Sequence, residues 1–355
     1  MKRIETHILR CLLESEKSIW ELLDESPFLV KDFVDAINKM FSEGIIRLKN
    51  NKICLTEKGL ERFHKRVIEF KSGKCRECER KGVAFGGRFE EILERFSRIV
   101  KDRPQPDVMF FQGYMHERDV ISRVALMHYY NDLADKSFII IGDDDLLSIA
   151  LALTSLPSRI LVLDIDARLG EYLERVCSKY GLNIEFQQYD VSNPLPKDLI
   201  GKFDVFSSEP LETLSGLKAF LSRGIACLGA GGVGYIGLTT AESSAIKWKA
   251  VELMLLRMNC VITDIIRDFS KYKTSYETAD YEMFISRLSF PVSKNPGICW
   301  YKSSLFRFEL MGKPKPIIDP EKKISVEYVD PVEDITSQLL YIKEDPSGFE
   351  KVNLK

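Results

Sequence analysis

Apolar positions along the chain change period about a third of the way in. Near the N-terminus they recur at helical spacing. Ile8, Leu9, Leu12 and Leu13 form one stripe, residues 19–23 a second short one, and Phe33, Ile37 and Phe41 stand four apart in a third over residues 29–41. Gly44 marks the stop of that helix. Two short apolar runs, 45–48 and 53–55, flank the polar residues 49–52 and read as strands around a turn. Thr56 is placed to cap a helix starting near Glu57. Helix, helix, helix, hairpin predicts a winged helix-turn-helix unit over residues 1–70.

Residues 71–105 form a polar connector with Gly82, Gly86 and Gly87, an amphipathic helix near 89–100, and Pro104 and Pro106 at its close. Beyond it the pattern alternates. Apolar runs at 138–141, 160–163, 184–186, 203–206, 225–228, 261–266 and 305–310 read as strands. Helical stretches fall at 146–156, 168–180 and 242–258. Buried strands alternating with helices predict an α/β fold with a mostly parallel, doubly wound sheet in residues 106–355. The residues after about Asp330 are polar and acid-rich and read as a mobile tail.

Composition adds bounds. At roughly 100–200 residues per domain, a chain of 355 residues predicts two domains. A formal net charge of −2 argues against a nucleic-acid coat, and residues 1–70 are near charge balance, so DNA attraction there is weak. A dimerisation or lid role suits that unit better. No apolar run is long enough to span a bilayer, and no signal peptide opens the chain. A cytoplasmic location with reduced thiols is expected.

Chemistry gathers where strands end. In open α/β sheets ligands sit at the carboxyl ends of strands, near the point where strand order reverses. The first strand of the alternating region runs into Gly142-Asp143-Asp144-Asp145. Asp145 reads equally as an N-cap, whereas Asp143 and Asp144 repel each other and serve no structural need. The second strand ends in Asp164-Ile165-Asp166, where nucleoside-binding folds hold ribose hydroxyls; Asp166 is also placed to cap the next helix. The third leads to Tyr189-Asp190, with Asp190 in reach of an adenine amino group. The fourth reaches Glu209-Pro210-Leu211-Glu212-Thr213. Acids of one sign focus a field that attracts cations and disfavour a carboxylate-bearing ligand near residues 143–145.

These motifs, with the winged-helix start, Phe111-Gln112-Gly113-Tyr114 and Trp300-Tyr301-Lys302-Ser303, resemble those of the branched-chain polyamine synthases over nearly the whole chain. The resemblance implies a methyltransferase-like Rossmann domain and a homodimer. It implies decarboxylated S-adenosylmethionine as co-substrate, with no bound cofactor or metal, and methylthioadenosine as by-product. Spermidine would be alkylated at its internal amine. By motif position Asp143 is the favoured catalytic acid and Asp144 the next, with Glu209 a further candidate. Gln112, Gly142, Asp145, Asp164, Asp166 and Asp190 are the donor-binding candidates. Tyr114, Glu212, Trp300 and Tyr301 are the acceptor-binding ones, and Trp248 is another aromatic able to face a cation. In one departure, the family usually shows Asp-Pro-Pro where this chain has Glu209-Pro210-Leu211.

Other signals are weaker. Gly229-Ala230-Gly231-Gly232-Val233-Gly234 reads as a flexible turn rather than a phosphate loop, because a strand-like run follows it. Cys75-Arg76-Glu77-Cys78 is a lone CxxC with His64 nearby; a structural zinc site needs two more ligands, which only a dimer could supply, so no metal is expected. A methyltransferase on the same fold, a winged-helix regulator sensing a nucleoside or polyamine, and metal binding by the aspartates are the competing readings.

Overall fold

The computed structural model describes residues 2–62, 78–330 and 332–336, and the backbone of 341–345 and 348–351. Three helices, α1 (Arg3–Glu14), α2 (Ile19–Glu25) and α3 (Val30–Ser42), precede an antiparallel pair, β1 (Ile46–Lys49) and β2 (Lys52–Leu55), and the short α4 (Glu57–Glu61). Local signals start these elements. Ser18 and Glu21 form a reciprocal capping box on α2, and Thr56 Oγ1 accepts the Gly59 amide at 3.2 Å. The buried stripe of α1 to α3 does not close on itself. It packs with Phe284, Phe290 and Trp300 from late in the chain, and Trp20 Nε1 donates to the Ser293 carbonyl at 2.9 Å.

Helices α5 (Arg88–Ile99) and α6 (Glu117–Tyr129) lead into β3 (Ser137–Ile141), α7 (Leu147–Thr154), β4 (Arg159–Asp164), α8 (Ala167–Tyr180), β5 (Glu185–Gln188), β6 (Phe203–Ser208), α9 (Leu214–Cys227), β7 (Leu228–Thr239), α10 (Ala245–Arg257), β8 (Cys260–Lys271) and β9 (Lys302–Leu310). A further antiparallel pair, β10 (Tyr341–Asp345) and β11 (Gly348–Lys351), follows. The large sheet has the order β5-β4-β3-β6-β7-β9-β8. β5, β4, β3, β6 and β7 are parallel neighbours, and β9 runs antiparallel between β7 and β8. The doubly wound, mostly parallel sheet expected from the alternation is therefore present. Chain order reverses between β3 and β6, so the crevice of such a sheet opens there.

Side chains alternate across the sheet as period two requires. Phe138, Ile140, Val162 and Val205 face a core closed by α5 to α8. Ile139, Ile141, Leu161 and Phe206 face a second core closed by α9 and α10. The helix of the connector thus belongs to the packing of the sheet.

Three expectations are corrected. Residues 225–227 end a helix instead of forming a strand: Thr213 Oγ1 caps α9 by accepting the Gly216 amide at 3.0 Å, and Leu217, Leu221 and Ile225 stack at helical spacing on the core. A short buried apolar run does not distinguish helix from strand. The glycine run 229–234 is part of β7, not a turn. Gly231, at φ +79°, lies where the register against β6 shifts, and a Cβ on Gly234 would overlap the Phe308 ring. Residues 332–336 of the acid-rich stretch are not loose; Ile335 and Thr336 are buried.

Candidate active site

A cleft of about 230 Å³ opens at the carboxyl ends of β3, β4, β5 and β6. The turn after β3 is tightly wound: Gly142 has φ +78° and Leu146 φ +59°, and the Gly142 and Asp143 amides donate across to β4, to the Leu163 carbonyl and Asp164 Oδ2 at 2.9 Å each. Between these two left-handed residues the three consecutive aspartates point in different directions. Asp143 turns inward: its Oδ1 accepts the Ser148 amide at 3.2 Å, so it serves the start of α7, a role expected of Asp145. Asp144 faces the cleft and accepts the Gly113 amide at 3.1 Å. Asp145 accepts the Met115 amide at 2.5 Å.

Burial dominates their proton affinities. It pushes Asp143 up to about 8 and Asp145, beside Glu209, up to about 7. Burial, with Asp145 and Asp164 alongside, holds Asp144 well above the usual carboxylate range.

Asp164 lines the cleft, its two oxygens accepting the Asp143 and Asp166 amides at 2.9 and 2.8 Å. Burial raises its pKa in spite of these bonds. Asp166 takes the capping role instead. It accepts the Arg168 amide at 3.0 Å and pairs with the Arg168 guanidinium at 2.7 Å. Burial alone would raise it, but Arg168 and Gln112 hold it below its ordinary value. Gln112 lines the cleft and donates to Asp166 at 3.0 Å, and Asp190 lines it beyond β5. Asp166 therefore orients Gln112 and does not itself border the cleft.

After β6, Glu209 borders the cleft but is paired with the buried Arg123 and accepts the Tyr272 hydroxyl at 2.6 Å. Glu212 accepts the Thr239 amide and hydroxyl and the Ser243 hydroxyl at 2.5–2.7 Å; burial still raises its pKa. Glu242 and Asp334, which no motif marked, join it. Burial, then Asp334 and Glu212, push Glu242 well above its ordinary range. Between them lies a buried cation: Lys247 Nζ is 2.7 Å from Asp330 and 3.6 Å from Glu333. The strap that supplies Val326, Tyr328, Asp330 and Asp334 to the cleft wall is tied down by Thr213 Oγ1, which donates to the Glu327 carbonyl at 2.6 Å, and by Glu333, which accepts the Ser244 amide at 2.9 Å.

Among the expected aromatics only Tyr301 borders the cleft, where burial, then Glu242, pushes its phenol well up. Tyr114 sits in a small cluster with Tyr276, its ring under the Arg103 guanidinium at 3.9 Å. Trp300 is core, donating to Glu282 at 3.1 Å between Trp20 and Phe284. Trp248 donates to the Thr239 carbonyl at 2.9 Å and packs on Phe306. Tyr272, Tyr281 and Tyr328 line the cleft instead; no motif marked them, and distant turns bring them in. Cys75 lies outside the described residues. Among the described residues no group of three or more His, Cys, Asp or Glu side chains is arranged to hold a metal, and no helix is long and apolar enough to cross a membrane.

The arrangement is an acid-walled cleft in which some carboxylates are neutralised internally, Asp166 by Arg168 and Glu209 by Arg123, while Asp144, Asp164, Asp190, Glu212 and Glu242 border the space itself. A cation entering it favours ionisation of those acids and is held by it.

The family profile described as the branched-chain polyamine synthase A C-terminal domain matches residues 91–335. An N(4)-bis(aminopropyl)spermidine synthase of Thermococcus kodakarensis is 37% identical over 332 residues, 92% of each chain. One of Methanocaldococcus jannaschii is 38% identical over 315 residues, 87% of this chain and 88% of that one. The crystal structure of the branched-chain polyamine synthase from Thermus thermophilus, in complex with N4-aminopropylspermidine and 5'-methylthioadenosine, superposes with a TM-score of 0.78 at 30% identity, covering 92% of each chain. With the profile spanning most of the chain and relatives this similar over nine-tenths of their length, this protein belongs to the branched-chain polyamine synthase family.

Proposed function

We propose that this enzyme transfers the aminopropyl group of decarboxylated S-adenosylmethionine to the internal amine of spermidine, giving branched polyamines and methylthioadenosine. The observation that carries the reading is the cleft at the switch point, bordered by Asp144, Asp164, Asp190, Glu212 and Glu242. Both reactants are cations, and two cations must be held side by side. Asp164, Gln112 and Asp190 lie where a nucleoside would rest. Glu212, Glu242 and Tyr301 form the opposite end, suited to the ammonium groups of the acceptor.

An amine that is protonated is no nucleophile, so a carboxylate within hydrogen-bond reach must take its proton. Asp144 is the best placed: it faces the cleft, and its raised proton affinity suits a base. Asp143, favoured by motif position, is turned into the protein and supports α7. The freed amine attacks the carbon next to the sulfonium, the carbon–sulfur bond breaks, and a neutral thioether leaves. Glu209 contributes a fixed negative charge rather than a proton acceptor, because Arg123 and Tyr272 already hold it.

Mass spectrometry of products from spermidine and the decarboxylated donor tests the reaction; methyl transfer from S-adenosylmethionine in place of aminopropyl transfer would overturn it. Asp144→Asn should lower kcat by about 10²–10⁴, and Asp143→Asn should act mainly on stability. A larger kcat loss at Asp143 would return the base role to it.

The division into a winged helix-turn-helix unit over 1–70, a connector over 71–105 and a catalytic unit over 106–355 is proposed on the order of α1 to α3, β1 and β2. A homodimer is proposed with it, to be checked by sedimentation. A cytoplasmic site of action is proposed as well, in keeping with free thiols at Cys11, Cys54, Cys177, Cys227, Cys260 and Cys299.

A further inference from the structure

A second cavity, of only about 10 Å³, adjoins the aspartate turn, and Gly142 and Glu209 border both it and the cleft. Met115, Val120, Ile140 and Leu147 give it an apolar wall. An apolar void of this size would stay dry. Three of its other lining residues contradict a dry void: Asp143 Oδ2, Ser207 Oγ and Arg123 Nε are all buried without a hydrogen-bond partner. Of the five such side-chain atoms among the described residues, a fourth is Oγ of Ser148, whose amide donates to the same Asp143 carboxyl. Buried polar atoms are nearly always paired, so their gathering at one cavity calls for a shared partner.

We propose that this cavity is a built site for one internal water, bound by Asp143, Ser207 and Arg123, which ties the aspartate turn to the Arg123–Glu209 pair. The volume is that of about one water-sized sphere, and three polar residues supply the two to four bonds such a water makes. The chemistry of the wall excludes other small ligands. The Arg123 guanidinium repels a metal cation, and a space of about 10 Å³ leaves no room for an anion larger than water. Water alone can accept from Arg123 Nε, exchange a bond with the Ser207 hydroxyl, and either accept from or donate to Asp143. That last freedom matters because the Asp143 carboxyl, pushed up to about 8 by burial, changes its proton near working pH.

The resulting chain runs from Asp143 through water to Arg123, on to Glu209, and then to the Tyr272 hydroxyl on the cleft wall. Asp143, Ser207 and Arg123 are positioning residues in this scheme, because they act through Glu209 and through the turn that presents Asp144. The kinetic arm of the test rests on the proposed aminopropyl transfer; the site itself does not.

The experiment is a crystal structure of the ligand-free full chain, at a resolution that places ordered solvent, with kinetics of two variants. Ser207→Ala keeps the space and Ser207→Val fills it. The expected density is a solvent peak within hydrogen-bond distance of Asp143 Oδ2 in the wild type and the alanine variant, and none in the valine variant. The valine variant should lose about tenfold in kcat with the donor KM unchanged and show a displaced pH profile, whereas alanine stays within about twofold. Ser207→Thr, which fills the space and keeps the hydroxyl, should behave as valine does and replaces it if valine does not fold. An empty cavity in the wild type, or a filled variant as active as alanine with an unmoved pH profile, overturns the proposal. A wild type with the peak but no aminopropyl transfer would sink the proposed reaction and leave the water site standing.

Discussion

Gly237→Ala is the substitution with the sharpest expected consequence. Gly237 lies in β7 directly under the Glu209 carboxylate, and a Cβ built there overlaps both carboxylate oxygens and Cδ. That carboxylate is held by Arg123 on one oxygen and by the Tyr272 hydroxyl at 2.6 Å on the other. To reach ordinary contact it must retreat by roughly 1 Å or more, which is enough to break the Tyr272 bond and to disturb the Arg123 pair. Removing one partner of a buried pair costs about 3–5 kcal/mol. Here the partner is displaced and not removed, and Glu209 keeps 20% of its side-chain exposure, so a loss of about 2–3 kcal/mol is expected. Turnover should fall by about 10² from the misplaced anion at the switch point. Urea denaturation reads the first effect and methylthioadenosine release the second. Shortening residue 209 by one methylene withdraws the carboxylate from the new Cβ, so Glu209→Asp combined with Gly237→Ala should recover part of both losses, a coupling that a double-mutant cycle measures. A Gly237→Ala protein equal to wild type in both assays, or a double variant no better than the single, would refute the reasoning.

Further outcomes follow from the same geometry. Asp143 and Asp145 have folded pKa values of about 8 and 7, above an unfolded carboxyl near 3.8. The folded state thus binds the extra protons, and this stability is full below pH 3.8 and lost as pH rises through 7 and 8. The melting temperature of the ligand-free protein should fall between pH 5 and 8 by this contribution, and Asp143→Asn should flatten the fall. Lys247→Met removes the buried cation that pairs with Asp330 and Glu333; a loss of about 3 kcal/mol is expected, with faster limited proteolysis of the segment that carries Val326 to Asp330. Trp300→Phe should lower the melting temperature through its contacts with Trp20 and Phe284 while leaving acceptor KM unchanged, because Trp300 is packed in the core and away from the cleft.

Much of the molecule is written in local pattern. β3 and β4 are continuous runs of branched apolar residues, and the acids behind them announce the crevice. What escaped reading depended on distance in sequence. Helix α9 hides because Ser215 and Gly216 blunt its first turn and its last three residues look like a strand. The direction of each aspartate follows from positive φ at Gly142 and Leu146, which no spacing rule supplies for a leucine. Trp300 and Tyr301 are adjacent in sequence yet face different surroundings, one the core and one the cleft. Glu242 and Asp334 become site residues only because α10 and the strap converge on Lys247.

The strap also governs the order in which the enzyme becomes competent. The wall holding Tyr328, Asp330 and Asp334 comes after every strand of the large sheet in chain order. A growing polypeptide can therefore complete its sheet and expose the aspartate turn before the far end of the crevice exists. A half-walled crevice grips a cation weakly, so full binding should arise only once this late segment has emerged and docked.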